Sequence, residues 1–175
     1  FFTEPSTRTK LSFQMAIQQR GYQHIDFLPE HSSLKKNESI EDTFLTLEAM
    51  GVHGIITRTE LHRPIQEASI KTNMRVINGG SGTDSHPTQA LLDAYTIRKQ
   101  FGKIEGLKVS YVGDVAKSRV ARSGRRLFES FGAQVMCAGP DEWISTDWQS
   151  IQGLTEEVFT TSDVIILLRA QLERD

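Results

Sequence analysis

Val164, Ile165, Ile166, Leu167 and Leu168 stand side by side with no polar residue among them. Alternate side chains of a strand point to opposite sides, so a short run that is apolar at every position suits a strand covered on both faces. Strands of that kind belong to parallel sheets wrapped by helices, and the rest of the chain supplies both kinds of element. Short apolar runs at 22–27, 54–57, 75–78, 107–112 and 134–138 read as further strands. Amphipathic stretches at 7–20, 40–50, 64–71, 87–101, 119–131 and 156–161 read as helices between them. The alternation predicts an α/β chain of doubly wound parallel sheets, Rossmann-like, in two domains joined by a helix.

Helix punctuation agrees with these bounds. Ser6 suits the N-cap of the first helix and Gly21 its left-handed C-cap. Ser39 precedes a second helix whose first turn carries Glu41 and Asp42, acidic residues at the positive end of the helix dipole. Pro87 fits a first helical turn, where its missing N–H has no intrahelical partner to lose. Gly132 closes the fifth helix. A joint near 102–106 separates an expected first domain, 1–101, from a second, 102–175, with helix 87–101 leading from one to the other.

Composition narrows the function classes. With 175 residues the chain can form one full domain or two small ones. A formal net charge of −2 argues against an electrostatic nucleic-acid binder. The single cysteine, Cys137, excludes an internal disulfide, and with five scattered histidines a structural zinc site is not expected. No apolar run approaches the ~20 residues that span a bilayer, and the first residues do not read as a signal peptide. The expected location is cytoplasmic, with no membrane partner. Phe1-Phe2 looks like a strand already under way, and the chain ends directly after an apolar run, so a fragment of a longer chain is expected.

Residues fit for chemistry gather at strand and helix ends. In Glu4-Pro5-Ser6-Thr7-Arg8-Thr9, three hydroxyls and a guanidinium crowd the start of a helix. Backbone N–H groups and the positive end of the dipole point at the same place, which suits a phosphate dianion. Ser6 alone reads as an ordinary cap; the whole hexapeptide does not. Ser81-Gly82-Thr83-Asp84-Ser85-His86-Pro87-Thr88-Gln89 follows a strand and delivers His86 and Gln89 about one turn apart. A neutral imidazole there can donate to a carbonyl oxygen, and Gln89 can bind a primary amide by donating and accepting.

Arg58 directly follows strand 54–57 and is equally a ligand contact or a surface charge on that ground alone. The polar stretch Ser32-Ser33-Leu34-Lys35-Lys36-Asn37-Glu38 is either a solvated linker or a flap that carries a lysine onto a phosphate. Gly113-Asp114-Val115-Ala116-Lys117-Ser118-Arg119 joins a strand to a helix without the G-x-G-x-x-G spacing of a dinucleotide turn. Instead Arg119 opens the helix, where it suits a carboxylate. Arg169 and Gln171 leave the last strand at its carboxyl end, the ligand side of a parallel sheet. Arg58, Arg119 and Arg169 together suit substrates with several negative charges.

Taken in order, four of these stretches resemble the aspartate/ornithine carbamoyltransferase family. They are Glu4-Pro5-Ser6-Thr7-Arg8-Thr9, His86-Pro87-Thr88-Gln89-Ala90-Leu91-Leu92-Asp93, Gly113-Asp114 with Ser118-Arg119-Val120-Ala121-Arg122-Ser123, and Arg169-Ala170-Gln171-Leu172-Glu173-Arg174. The resemblance implies transfer of the carbamoyl group of carbamoyl phosphate to the amino group of aspartate, a committed step of pyrimidine biosynthesis, with neither metal nor organic cofactor. It assigns Ser6, Thr7, Arg8 and Thr9 to the phosphate, and Thr9, Arg58 and His86 to the carbamoyl oxygen. Gln89 would hold the carbamoyl amine, and Arg119, Arg169 and Gln171 the aspartate. Ser33 and Lys36 match a loop that in this family reaches into a neighbouring subunit's active site, and Lys36 would also meet aspartate; Asn37 stands where relatives often carry glycine.

A homotrimer with shared active sites is the implied assembly. Whether the protein works alone, with regulatory chains or inside a larger pyrimidine-pathway polypeptide is left open. Ornithine is the rival acceptor, and a nucleotide-binding α/β module without catalysis the rival class. Arg169-Ala170-Gln171-Leu172-Glu173-Arg174 favours the acidic acceptor.

Overall fold

The computed structural model describes residues 1–144, 147–153 and 156–170. The chain divides into two compact units, Phe1–Gly82 and Thr83–Asp175. Each is built from parallel strands with helices between them, the α/β class that the periodicity predicts.

The first unit holds α1 (Thr7–Gln19), α2 (Ile40–Ala49), β1 (Gly54–Thr57), α3 (His62–Ile70) and β2 (Arg75–Asn78). Strands β1 and β2 pair in parallel, Gly54 opposite Arg75 and Thr57 opposite Asn78, with α3 as the crossover. Phe2 bridges Arg58 in parallel just beyond β1, so the strand-like start of the chain is used. Ser39 caps α2 by accepting from the Asp42 N–H at 3.0 Å. The core joins Phe1, Phe44, Ile55, Ile65, Ala68 and Met74, with Phe27 stacked on Phe1 at 5.4 Å between ring centroids. One expectation is corrected here: 22–27 forms no strand. Tyr22 is 72% exposed and Ile25 86%, so only Phe27 buries apolar surface, too little to hold a strand against its ordering entropy.

The second unit holds α4 (Pro87–Phe101), β3 (Lys108–Val112), α5 (Arg119–Ser130), β4 (Gln134–Gly139), β5 (Ser150–Gln152), α6 (Glu156–Thr161) and β6 (Val164–Leu167). Its sheet runs β5-β4-β3-β6, every pair parallel. Side chains of β3 and β4 alternate between two buried clusters, one with Val109, Tyr111, Val135 and Cys137, the other with Val112 and Ala138. Helices α4 and α5 contribute Ala94, Ile97, Ala121 and Phe128 to the first cluster, and α6 contributes Val158 to the second. Both faces of β3 and β4 are therefore covered, whereas β6 is only half-buried along Val164–Ile166 and leaves Leu167 77% exposed. Strand β5 is too short, Ser-Ile-Gln, to stand out as an apolar run.

The units part between Gly82 and Thr83, whereas the sequence pattern puts the joint at 102–106. Packing explains the difference, because Ala94 and Ile97 of α4 lie in the same cluster as Val109 of β3.

Close approach of α5 to β3 is made possible by Gly124. A Cβ there would overlap the hydroxyl of Tyr111, a fully buried ring wedged between Phe128 and Trp148. That hydroxyl meets no hydrogen-bond partner among the described residues, and burial pushes it well above the ordinary tyrosine range. Gly124→Ala is expected to destabilise the protein by about 2 kcal/mol, overpacking outweighing the roughly 1 kcal/mol that alanine adds in a helix. Adding Tyr111→Phe should restore part of the loss in urea denaturation, since it removes the worst-overlapping atom and an unsatisfied donor, while the ring carbon stays 2.9 Å away.

Candidate functional site

In the first unit the hexapeptide forms the entry to α1. Ser6 occupies the N-cap with extended backbone, φ −163° and ψ 98°, but its side chain makes no capping bond. The first turn, Thr7-Arg8-Thr9-Lys10, holds no acidic residue. With no capping bond from Ser6 and no acidic residue in the first turn, the positive end of this helix suits an external anion. An open groove beside it is lined by Ser6, Thr7, Lys10, Leu11, Gln14 and Asp26. Asp26 clamps the groove by pairing with Lys10 at 3.0 Å and accepting from Gln14 Nε2 at 2.9 Å. The Lys10 ammonium holds the Asp26 carboxyl below the usual carboxylate range. Arg8, at the second position of the helix, is exposed.

Arg58 is brought to the same helix start by the parallel pairing of the chain's first residues with the end of β1. The N–H groups of Thr3 and Glu4 donate to the Arg58 carbonyl at 2.9 and 3.4 Å. Its Nη1 donates to Thr9 Oγ1 at 3.3 Å and to the Gly79 carbonyl at 3.1 Å. Glu4 pairs with Arg58 Nε at 3.7 Å through one carboxylate oxygen and accepts from the Gly82 N–H at 2.8 Å through the other. Glu4 thus aims the guanidinium and ties down the glycine loop, a role sequence reasoning missed although Glu4 begins the motif. No sequence signal marks it, because its partners lie far along the chain. Gly79 lets the backbone pass close by: a Cβ there would lie 3.2 Å from the Thr57 carbonyl and 3.4 Å from Thr9 Cγ2, tight contacts that would press on both neighbours.

Ser33 and Lys36 lie on a 3-10 turn, Ser33–Lys36, capped by Ser32 and pinned to the first unit's core by Leu34. Both side chains are exposed, and no hydrogen bond or ion pair joins either to the Arg58 cluster. Asn37 ends the turn at φ 65° and ψ 22°, a left-handed conformation that asparagine tolerates better than most side chains.

In the second unit His86 is the N-cap residue of α4 and is 8% exposed. Its backbone N–H donates to Ser123 Oγ on α5 at 2.8 Å, and Thr88 Oγ1 lies 3.5 Å from its Nδ1. Gln89, one turn on, donates from Nε2 to Asp93 Oδ1 at 2.9 Å. Burial raises the Asp93 carboxyl above the ordinary carboxylate range, and the Gln89 donor works against that rise.

Arg119 opens α5 behind the N-cap Ser118, which accepts from the Ala121 N–H at 3.2 Å. Its side chain is 7% exposed. Arg119 and Ser123 are four residues apart and so share a helix face, which sets Arg119 on the side of α5 that holds the His86 loop. Arg122 ties the loop before α5 to the His86 loop, donating to the carbonyls of Ala116 in the one and Thr83 in the other. Arg169 follows β6 and is exposed. Strands β3 and β6 are neighbours, and the chain reverses direction across the sheet between them. Arg119 and Arg169 therefore leave the carboxyl ends on either side of that reversal, where open α/β sheets bind ligands. Gln171 lies outside the described residues. Arg58 belongs to the first unit, and Arg119 and Arg169 to the second.

Among the described residues no group of three His, Cys, Asp or Glu is placed to hold a metal ion. None of their helices is long and apolar enough to cross a membrane.

Residues 1–99 match the family model "Aspartate/ornithine carbamoyltransferase, carbamoyl-P binding domain". The chain is 47% identical over 178 residues to the aspartate carbamoyltransferase catalytic subunit of Thermus thermophilus, covering 99% of this chain and 58% of that one. It is 43% identical to the same subunit from Lactiplantibacillus plantarum, covering 99% and 57%. A crystal structure of aspartate transcarbamoylase from Trypanosoma cruzi with aspartate and phosphate superposes with a TM-score of 0.87 at 30% identity, over 100% of this chain and 62% of that one. The same enzyme with carbamoyl phosphate and aspartate gives 0.85 at 30% identity, over 99% and 60%. The chain thus spans well under two thirds of the length of these relatives.

Proposed function

The chain belongs to the aspartate/ornithine carbamoyltransferase family, and from that premise we propose that it is part of an aspartate carbamoyltransferase, transferring the carbamoyl group of carbamoyl phosphate to the amino group of L-aspartate. The observation that carries the reading is the Arg58 guanidinium bonded to Thr9 at the start of α1, a helix with no acidic residue in its first turn. On this reading 1–101 is the carbamoyl-phosphate-binding domain and 102–175 the aspartate-binding domain, each continued outside this chain.

Ser6, Thr7, Arg8 and Thr9 take the phosphate with backbone N–H, hydroxyl and guanidinium donors. Thr9, Arg58 and His86 polarise the carbamoyl oxygen, and Gln89 takes the carbamoyl amine. If the Thr88 hydroxyl donates to His86 Nδ1, the ring proton resides on Nε2, which makes that nitrogen the donor. Arg119, Arg169 and Gln171 take the carboxylates of aspartate. The aspartate amino group attacks the carbamoyl carbon, charge gathers on the carbamoyl oxygen, and the donors stabilise it. Collapse expels phosphate, which accepts the proton lost by the amine. The protein's part is orientation and electrostatics, so no metal or cofactor enters a step.

The assembly proposed is a cytoplasmic homotrimer. Ser33 and Lys36 are exposed and not bonded to the Arg58 cluster of their own chain, which fits side chains lent to a neighbour's site. The test is carbamoyl transfer by the complete protein, offered aspartate and ornithine separately. Turnover with aspartate alone upholds the proposal. Turnover with ornithine overturns the acceptor, and no turnover with either overturns the reaction.

A further inference from the structure

We propose that Asp93 is a positioning residue that sets which end of the Gln89 amide faces the substrate, and thereby selects a carbamoyl group over an acyl group. The inference rests on the function proposed above and adds a residue and a discrimination to it. Gln89 Nε2 donates to Asp93 Oδ1 at 2.9 Å, and this is the only hydrogen bond of the Gln89 side chain among the described residues. An ionised carboxylate accepts and cannot donate, so it can hold only the –NH₂ end of the amide. The amide is planar and its two polar ends diverge from one carbon. Fixing Nε2 on Asp93 therefore leaves Oε1 as the end available to a ligand. That oxygen accepts and cannot donate, so it is matched by an N–H and by nothing that lacks a donor.

The carbamoyl group of carbamoyl phosphate carries –NH₂ where acetyl phosphate carries –CH₃, and the two are otherwise nearly the same size. A Gln89 free to rotate would present either end. A Gln89 held by Asp93 keeps Oε1 in one place, so the methyl compound leaves that acceptor unpaired in the bound state, at a cost to its binding. Asp93 is well placed for this because it sits one turn beyond Gln89 on α4 and is itself half-buried, where an unpaired carboxylate is disfavoured. The pair would also help the helix as an ordinary i,i+4 contact, and the test must separate the two roles.

The experiment measures, on the complete protein, KM for carbamoyl phosphate and the inhibition constant of acetyl phosphate against it. It compares the unsubstituted protein with Asp93→Asn and Asp93→Glu. Asparagine keeps the shape but can offer a donor as readily as an acceptor, so Gln89 is no longer held. The expected result is a fall of roughly 3- to 10-fold in the preference for carbamoyl phosphate in Asp93→Asn, the size of one oriented hydrogen bond. Asp93→Glu, whose longer carboxylate still accepts from Nε2, should keep most of the preference. A purely helical role predicts a small loss of stability in Asp93→Asn with the preference unchanged, and that result overturns the inference while leaving the proposed reaction standing. Failure of the unsubstituted protein to bind carbamoyl phosphate would overturn the reaction, and the inference with it.

Discussion

Arg58→Met is expected to lower kcat/KM for carbamoyl transfer by roughly 100- to 1,000-fold, the usual consequence of removing one donor from a developing oxyanion. Methionine keeps the apolar stem of the side chain while deleting the fork that reaches Thr9 and the Gly79 carbonyl. The same change strips Glu4 of its ion pair. Because Glu4 keeps the Gly82 N–H, the stability loss should be modest, about 1–2 kcal/mol. The two effects are separable by pairing steady-state kinetics with a denaturant midpoint. Arg58→Lys should recover charge but not the fork, and so restore only part of the rate. A methionine variant within threefold of the unsubstituted protein would remove Arg58 from the proposed machinery.

Gly113→Ala should cost about 3–5 kcal/mol of stability, because a strained backbone and a backbone contact both oppose the added methyl group. Gly113 ends β3 at φ +117°, a region that side chains rarely adopt, and a Cβ there would stand 2.5 Å from the Leu168 carbonyl oxygen. That oxygen is backbone at the end of β6, and the Leu168 N–H is itself bonded to the Val112 carbonyl at 2.8 Å, so neither strand can step aside cheaply. Gly102→Ala is the control. Its φ is +78°, but nothing lies within 4 Å of the added carbon, so only the left-handed backbone is penalised, by about 1 kcal/mol. A urea denaturation series in which both variants lose the same stability would show that the contact with Leu168 contributes nothing. Since the approach of β3 to β6 also sets where Arg119 and Arg169 emerge, Gly113→Ala should weaken aspartate binding in whatever fraction remains folded.

The glycines separate what a sequence displays from what it conceals. Gly21 and Gly132 are legible as helix terminators because they directly follow amphipathic stretches, and both adopt positive φ. Gly113 and Gly124 carry no such local sign, since what demands them is an atom from elsewhere, the Leu168 carbonyl in one case and the Tyr111 hydroxyl in the other. The candidate site divides in the same way. Ser6, Thr7, Arg8, Thr9, His86 and Arg119 announce themselves by crowding helix starts. Glu4, Asp93 and Ser123 do not, because an acidic residue or a serine beside a motif has many ordinary reasons to be there. The segment 22–27 errs in the opposite direction: its apolar residues read as a strand, yet Tyr22 and Ile25 face solvent.

By itself the sequence determined the class of element at nearly every position, the helix ends and the chemistry of the loops. These depend on side-chain direction over a few residues, and periods of 2 and 3.6 report that directly. Only the tertiary structure decided the strand order β5-β4-β3-β6, the packing of α4 with the second unit and the partners of the functional side chains. Arg58 meets Thr9 across 49 residues of chain, and His86 meets Ser123 across 37. Closing such loops costs entropy that no local pattern encodes, and which closures form is settled by the apolar surface that the whole fold buries.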